Sequence, residues 1–176
     1  MPHTKIIFAF IFTLSFFGCD STPPPIVEDV CPVPINASNA PVFRDGKEWG
    51  NHDLTMKLSD KTRTLTVEGI KSYKDCTSEQ ITISISNFKW NTGKYVLQGL
   101  IPEPVPNRIT YSQYHPFDGI VFAYQSDDTL PNYFEVTKAD SVQKIISGKF
   151  EINLITDTKP LQFMAPQFEN ISVTQN

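Results

Sequence analysis

The feature that most constrains this chain is a strict alternation of apolar and polar residues in short runs. The clearest runs are Leu54–Leu58, Ile81–Ile85 and Phe150–Leu154, in which every second residue is apolar. Successive side chains of a β-strand point to opposite faces, so such runs are typical of strands with one buried face. They recur from Val42 onwards, and little of the sequence shows helical spacing.

Turn sequences separate the runs and set the fold class. Asp45-Gly46 is typical of a tight hairpin turn, and Ser59–Thr62 is polar. About nine to eleven short strands with short links predict a single all-β domain over residues 36–176, an antiparallel β-sandwich or β-barrel. The proline-rich residues 102–106 predict a long loop at one end of the sheet. The sequence allows one short helix, over residues 140–144.

Residues 1–18 follow a different pattern. Between Ile6 and Phe17 ten of twelve residues are apolar, and no polar face is left. As a helix this run would be about 18 Å long, well short of the roughly 30 Å hydrocarbon core of a bilayer. With Lys5 in front of it, the run predicts a cleaved signal peptide rather than a spanning helix or an element of the domain.

The signal segment ends at Gly18-Cys19, and here the chain resembles a bacterial lipoprotein precursor. In that class a small residue precedes a cysteine that is lipidated and becomes the mature N-terminus. Phe16 and Phe17 replace the usual Leu and small residue, a loose pattern similar to that of Bacteroidota-type lipoproteins. The resemblance implies acylation of Cys19, palmitate included, and a lipid anchor in the cell envelope, at the outer membrane on its periplasmic or surface face. Ordinary signal-peptide cleavage, which leaves Cys19 as a thiol, is the alternative.

Residues 19–35 contain the lipidated cysteine and a proline-rich linker. Five prolines lie among residues 20–34, and such a segment favours an extended polyproline conformation of about 3 Å per residue. We therefore expect a tether between the anchor and the domain.

Cys31 and Cys76 remain as an even pair once Cys19 is acylated. Export places them in an oxidising compartment, which predicts a disulfide between them. In the chain-entropy description, closing a loop of this length stabilises a domain by about 4 kcal/mol. Two free buried thiols are the alternative. The cysteines and histidines lack the close pair spacing of structural zinc sites, so the sequence predicts no metal and no other cofactor.

A second resemblance involves three short segments of the domain. Val42–Trp49, which contains the Asp-Gly turn, is similar to the opening hairpin of uncharacterised all-β lipoprotein families of Bacteroidota. Ile146–Ile152 and Gln167–Ile171 resemble two later strands of those families. This resemblance implies an exported all-β domain and no particular activity.

Charge and motifs exclude several function classes. A formal net charge of -4 gives no basic footprint, so we predict no nucleic-acid partner. His52 and His115, both expected in exposed loops, lie in no catalytic signature. The adjacent acids Asp127 and Asp128 would point apart on a strand and fall in a turn-like sequence. We therefore predict that the protein is not an enzyme.

Aromatic residues are concentrated between residues 90 and 134 and suggest a binding surface. The segment 111–118, expected to be a loop, combines polar and aromatic groups that could stack on sugar rings. Its candidate binding residues are Tyr111, Tyr114, His115 and Phe117. The sequence thus predicts a membrane-anchored binding or accessory module for a glycan, a small apolar ligand or an envelope protein. The alternative is a purely structural envelope lipoprotein without a ligand, whose aromatic residues all pack in the core; a hydrolase ranks third.

The anchor is tested by the substitution Cys19→Ala. Two or more acyl chains hold a protein stably on a bilayer, so losing them should move the chain from the membrane to the soluble fraction. Fractionation with metabolic palmitate labelling measures both effects. Continued membrane retention with unchanged acyl labelling would contradict lipidation at Cys19.

Overall fold

A computed structural model describes residues 40–50, 52–99, 107–155 and 159–175, without the side chains of residues 121–123. The signal peptide, Cys19, the linker with Cys31, and residues 102–106 lie outside these ranges. The described residues form eleven strands and no helix, so the predicted all-β class is confirmed. None of these residues belongs to a helix long and apolar enough to cross a membrane.

The strands follow the chain as eleven successive elements. They are β1 (Phe43–Arg44), β2 (Lys47–Glu48), β3 (His52–Ser59), β4 (Thr64–Ser72), β5 (Ser78–Ile85), β6 (Gly93–Val96), β7 (Asn107–His115), β8 (Gly119–Ser126), β9 (Tyr133–Asp140), β10 (Ile145–Ile155) and β11 (Pro160–Gln175).

Most neighbouring strands pair in antiparallel fashion. One series runs β3, β4, β5, β7 and β8. A second series joins β6 to β9, β9 to β10, β10 to β11, β11 to β1, and β1 to β2. The two series meet where β8 pairs with β10 at two positions and where β11 pairs in parallel with β3. That parallel pair departs from the purely antiparallel expectation, because the 16 residues of β11 are enough to pair with β10 first and with β3 at their end.

A single core lies between the strands and is built by the alternation seen in the sequence. Burial alternates along β3, β4 and β5 as it does in the residue pattern. Each buried Val, Leu, Ile, Met or Phe side chain contributes about 1.5–3 kcal/mol relative to exposure. The bulkiest fully buried side chains are Trp49, Phe88, Phe134, Phe150, Phe163 and Phe168.

Two local predictions are wrong. Residues 141–144 form a turn instead of a helix, because Asp140 Oδ1 accepts hydrogen bonds from the backbone N–H groups of Val142 and Gln143, both at 2.9 Å. Such side-chain acceptors favour turns over helices. The expected loop over residues 111–118 is instead the end of β7 and the tight β7–β8 turn at residues 116–118. Within β7, the buried Ile109 and Tyr111 alternate with the partly exposed Thr110 and Ser112, as expected of a strand.

The strand register defines two ends of the domain. Ser72 pairs with Ser78, and Ser78 pairs with Tyr114, so the 73–77 turn and the β7–β8 turn lie at the same end. The chain also enters here, because Nε2 of His52, the first residue of β3, lies 3.0 Å from the carbonyl oxygen of Ala40. We call this the entry end.

The opposite end, called the distal end, contains the 60–63 and 141–144 turns. Ser59 pairs with Thr64 across the first turn. The second lies nearby, because the backbone N–H of Val173, which pairs with Met56, donates to the Lys144 carbonyl at 2.8 Å. At about 3.3 Å per residue, eight-residue strands separate the two ends by about 25 Å.

Gly148 sits at an irregular point of the sheet where a side chain has no room. The pairing of β10 shifts register beside Gly148 against both β9 and β11. A Cβ atom there would overlap the backbone oxygen of Glu135 and lie 2.8 Å from a ring carbon of Phe168. The position therefore requires glycine for close approach of β9 and the buried ring.

Gly148→Ala should lower the free energy of unfolding by about 1–3 kcal/mol, the usual cost of overpacking. Urea titration followed by circular dichroism measures the loss. Gly93→Ala is the matched control, because a Cβ at this strand position would meet no atom within 4 Å. Equal stabilities for the two variants would contradict the close approach at Gly148.

Candidate functional site

The entry end is organised around one buried carboxylate. Glu79, near the start of β5, is only 5% exposed. Its Oε1 accepts hydrogen bonds from the Arg44 guanidinium and from Gln113 Nε2, the latter at 3.2 Å. Its Oε2 accepts a hydrogen bond from Trp49 Nε1 at 2.7 Å. A buried carboxylate is expensive to desolvate unless it is paired and hydrogen-bonded, and here both oxygens are satisfied.

These contacts join distant parts of the chain. Arg44 comes from β1 and Trp49 follows β2, whereas Gln113 is the register partner of Glu79 on β7. The Trp49 ring also packs edge-on against Phe163 of β11, with 5.1 Å between centroids. Glu79 therefore fastens the β1–β2 hairpin to both β5 and β7.

His52 stabilises the same end of the domain through its contacts with Trp49 and Ala40. Its ring stacks on Trp49 with 5.3 Å between centroids and 15° between planes. Nδ1 lies 2.7 Å from the Trp49 carbonyl oxygen, and Nε2 faces the Ala40 carbonyl. The exposed loop predicted for His52 is wrong, because the residue is buried as the first inward position of β3. With both nitrogens engaged by the backbone, this histidine fixes the start of the domain.

Two tyrosines adjoin the buried ion pair. Tyr111 is 2% exposed, and its hydroxyl accepts a hydrogen bond from Gln113 Nε2 at 3.2 Å. Burial, and then the negative charge of Glu79, raises the pKa of the Tyr111 phenol. The same two causes raise the pKa of Tyr73 to about 12. Burial disfavours the charged Arg44 guanidinium, but its interactions with Glu79, Tyr111 and Tyr73 together outweigh burial, so the pKa of Arg44 is raised. At neutral pH the cluster is therefore an ion pair flanked by neutral phenols.

A cleft of about 440 Å³ opens beside this cluster. Its walls are the 73–77 turn, the start of β5 and the end of β7. Clefts of this size are typical of small-molecule sites, in which a few polar groups orient a ligand against apolar and aromatic surface. The lining residues are Tyr73, Asp75, Thr77, Ser78, Glu79, Gln113, Tyr114 and His115.

The lip of the cleft is a turn with fixed geometry. The backbone N–H of Cys76 donates to the Tyr73 carbonyl at 3.1 Å, and Cys76 itself has a left-handed φ of 64°. Asp75 Oδ1 accepts hydrogen bonds from the backbone N–H and the hydroxyl of Thr77, at 3.1 and 2.6 Å. These bonds lower the pKa of Asp75, so the lip presents an ionised carboxylate to solvent.

The four predicted binding residues do not form one surface. Tyr114 and His115 line the cleft, as a binding surface requires. Tyr111 instead packs in the core with its ring 5.1 Å from that of Tyr124, because β7 alternates and position 111 faces inward. Phe117 lies at the β7–β8 turn, 90% exposed and outside the cleft lining.

Sequence reasoning missed most of the cleft. Glu79 carried a readable signal, since it shares the inward-facing alternation of Ile81, Ile83 and Ile85 and is a charged residue at a core position. Tyr73 and Gln113 carried none, because only the β4–β5–β7 register brings them together.

The side chains of the adjacent acids and of the second histidine considered in the sequence analysis form their polar contacts with residues close to them in the chain. Asp127 Oδ1 accepts from the Thr129 hydroxyl and Asp128 Oδ1 from the Ser126 hydroxyl, both at 2.5 Å, as expected of acids in a turn. His115 Nδ1 lies 3.3 Å from Asp118 Oδ2 across the β7–β8 turn. In the part of the chain that the structure describes, no three His, Cys, Asp or Glu side chains are grouped to hold a metal ion.

Comparison of the chain with protein-family models, curated proteins and solved structures finds no match.

Glu79→Ala should lower the free energy of unfolding by about 3 kcal/mol, because Arg44 and the Trp49 indole N–H lose their buried acceptor. Glu68→Ala is the matched control. It removes the partner of Lys57, an ion pair of 3.0 Å at the surface, and should cost less than about 1 kcal/mol. Chemical denaturation compares the two variants, and a similar small loss for both would contradict the organising role of Glu79.

Proposed function

We propose that this protein is a lipid-anchored lipoprotein of the cell envelope whose all-β domain binds a saccharide in the entry-end cleft. The observation that supports binding is the composition of that cleft, in which Tyr73 and Tyr114 adjoin the carboxylate of Asp75 and the amide of Gln113. The anchor is supported by the sequence, from the signal peptide to Gly18-Cys19.

The cleft chemistry suits a sugar better than a purely apolar ligand. Sugar rings have apolar C–H faces that pack on aromatic rings, and hydroxyls at their edges that need hydrogen-bond partners. Tyr114 is 47% exposed and offers such a face. Asp75 offers an acceptor and Ser78 a hydroxyl in the same cleft lining. An apolar ligand would remove water from these polar groups without replacing its hydrogen bonds, which costs free energy.

We propose a binding role rather than catalysis for the cleft. Both oxygens of Glu79 are held by Arg44, Trp49 and Gln113, so this carboxylate orients the walls and is unsuited to proton transfer. General acid–base catalysis needs a group within reach of the substrate whose proton can move.

For the architecture we propose a flattened barrel with a packed interior. Pairings from β3 through β5, β7 and β8 to β10, and back through β11, support this arrangement.

We also propose the Cys31–Cys76 disulfide. Its support is that Cys76 lies in the entry-end turn, close to where the chain from Cys31 reaches Ala40. Eight intervening residues can span at most about 30 Å, which is ample for that distance.

A structural envelope protein without a ligand is the second candidate. The specific observation in its favour is that Tyr111 and many other aromatic side chains of the domain pack in the core. The two candidates differ in whether the cleft binds anything.

Saccharide binding is tested with a lipid-free chain of residues 20–176 on a glycan array, followed by calorimetric titration of the saccharides retained. Tyr114→Ala should weaken binding by about 10- to 100-fold, as expected for the loss of an aromatic anchor. Tyr133→Ala is the matched control, since Tyr133 lines a different surface depression. An array with no retained saccharide would favour the structural candidate.

A further inference from the structure

The β7–β8 turn exposes an apolar surface beside the cleft, with which it shares Tyr114. Phe117, at the turn, is 90% exposed, Ile120 is 68% exposed and Tyr114 is 47% exposed. Tyr114 pairs with Ile120 across the two strands, so their side chains lie on the same face. We call these three residues the hairpin tip.

Contacts within the β7–β8 turn fix the position of the hairpin tip. The His115 ring lies 5.6 Å from the Phe117 ring and its Nδ1 is 3.3 Å from Asp118 Oδ2, so the turn is braced from within. Burying a Phe or Ile side chain is worth about 1.5–3 kcal/mol each. Contiguous exposed apolar residues of this kind mark surfaces that meet a protein or a membrane.

The position of the hairpin tip in the fold decides between those two. It lies at the entry end, the end at which the chain reaches Ala40 and at which Cys76 is found. The described residues therefore begin at this end, 21 positions after Cys19 in the sequence. If Cys31 is paired with Cys76, the free tether shortens to the residues between Cys19 and Cys31, about 37 Å when fully extended.

We propose that the hairpin tip inserts into the interfacial region of the bilayer that holds the Cys19 lipid. This contact rests on the proposed lipid anchor, and it assigns the entry end as the membrane-facing end. An aromatic and aliphatic tip with one tyrosine suits the boundary between headgroups and acyl chains, where amphipathic rings concentrate. The distal end then lies about 25 Å farther from the membrane.

Charge supports an apolar contact rather than an electrostatic one. The exposed charged side chains at this end include Lys74, Asp75 and Asp118, which together are weakly acidic. Anionic lipids attract clusters of basic residues, and this end has no such cluster among its described residues. The membrane contact therefore depends on Phe117 and Ile120.

Val142 provides a matched control. It is 88% exposed, as Phe117 is, and lies in a hairpin turn, but at the distal end. Phe117→Trp and Val142→Trp therefore place equivalent reporters at the two ends. Because both positions are exposed, neither change disturbs the core, and circular dichroism checks that the fold is kept.

The experiment uses the full lipidated mature chain in vesicles of phosphatidylethanolamine and phosphatidylglycerol. The unsubstituted chain supplies the background of Trp49 and Trp90. Relative to the lipid-free chain of residues 20–176 in buffer, the Phe117→Trp emission of the lipidated chain in vesicles should shift to the blue. Nitroxide-labelled phosphatidylcholine should quench it several-fold more than it quenches Val142→Trp, because interfacial residues reach about 5–10 Å into the bilayer.

Two kinds of result overturn the proposal separately. Equal weak quenching of both variants in an acylated chain means that the hairpin tip faces away from the bilayer. An emission that is already blue-shifted in the lipid-free chain of residues 20–176 in buffer means that protein covers the tip, either the chain's own tether or a second copy. The mass of the N-terminal peptide reports acylation independently, and a mass without acyl chains overturns the anchor and with it this contact.

Discussion

The buried carboxylate of Glu79 is the interaction on which the entry end depends. Hydrogen bonds to its two oxygens join the β1–β2 hairpin to β5 and to β7, which pair with each other at Glu79 and Gln113. Without it, the Trp49 indole N–H would lose its buried acceptor and the Arg44 guanidinium its ion-pair partner. The cost of burying one charge is offset by giving each oxygen a donor, and the rigid cleft walls are the result.

The fold class could be read from the sequence because it depends on local periodicity. Leu54, Met56 and Leu58 alternate, and the strand that contains them is buried on the same alternation. The arrangement of strands could not be read, since the parallel contact of Val173 with Met56 joins residues far apart in the chain. Nothing in a local pattern specifies such a partner.

In the candidate site, too, local sequence patterns predicted some features, and contacts between distant residues determined the others. Tyr114 and His115 were predictable because aromatic and polar residues coincide there, whereas Tyr111 was misplaced because a strand was taken for a loop. In a strand, residues 111 and 114 lie an odd number of positions apart and so face opposite sides. The depth of Glu79 could have been anticipated from its alternation with Ile81, but its partners Arg44 and Trp49 could not.

The long last strand has a consequence for how the molecule is made. Residues of β11 pair with β1, β3 and β10, so strands from both halves of the chain lack a pairing partner until this 16-residue strand is in place. Contacts between sequence-distant residues slow folding, since the intervening chain must be ordered first. A chain that emerges N-terminus first would thus complete this core only after β11 had emerged. Until then the apolar faces of β3 and β10 would lack their closing neighbour, which makes this the interval in which the nascent domain is most open to aggregation and to the chaperones that prevent it.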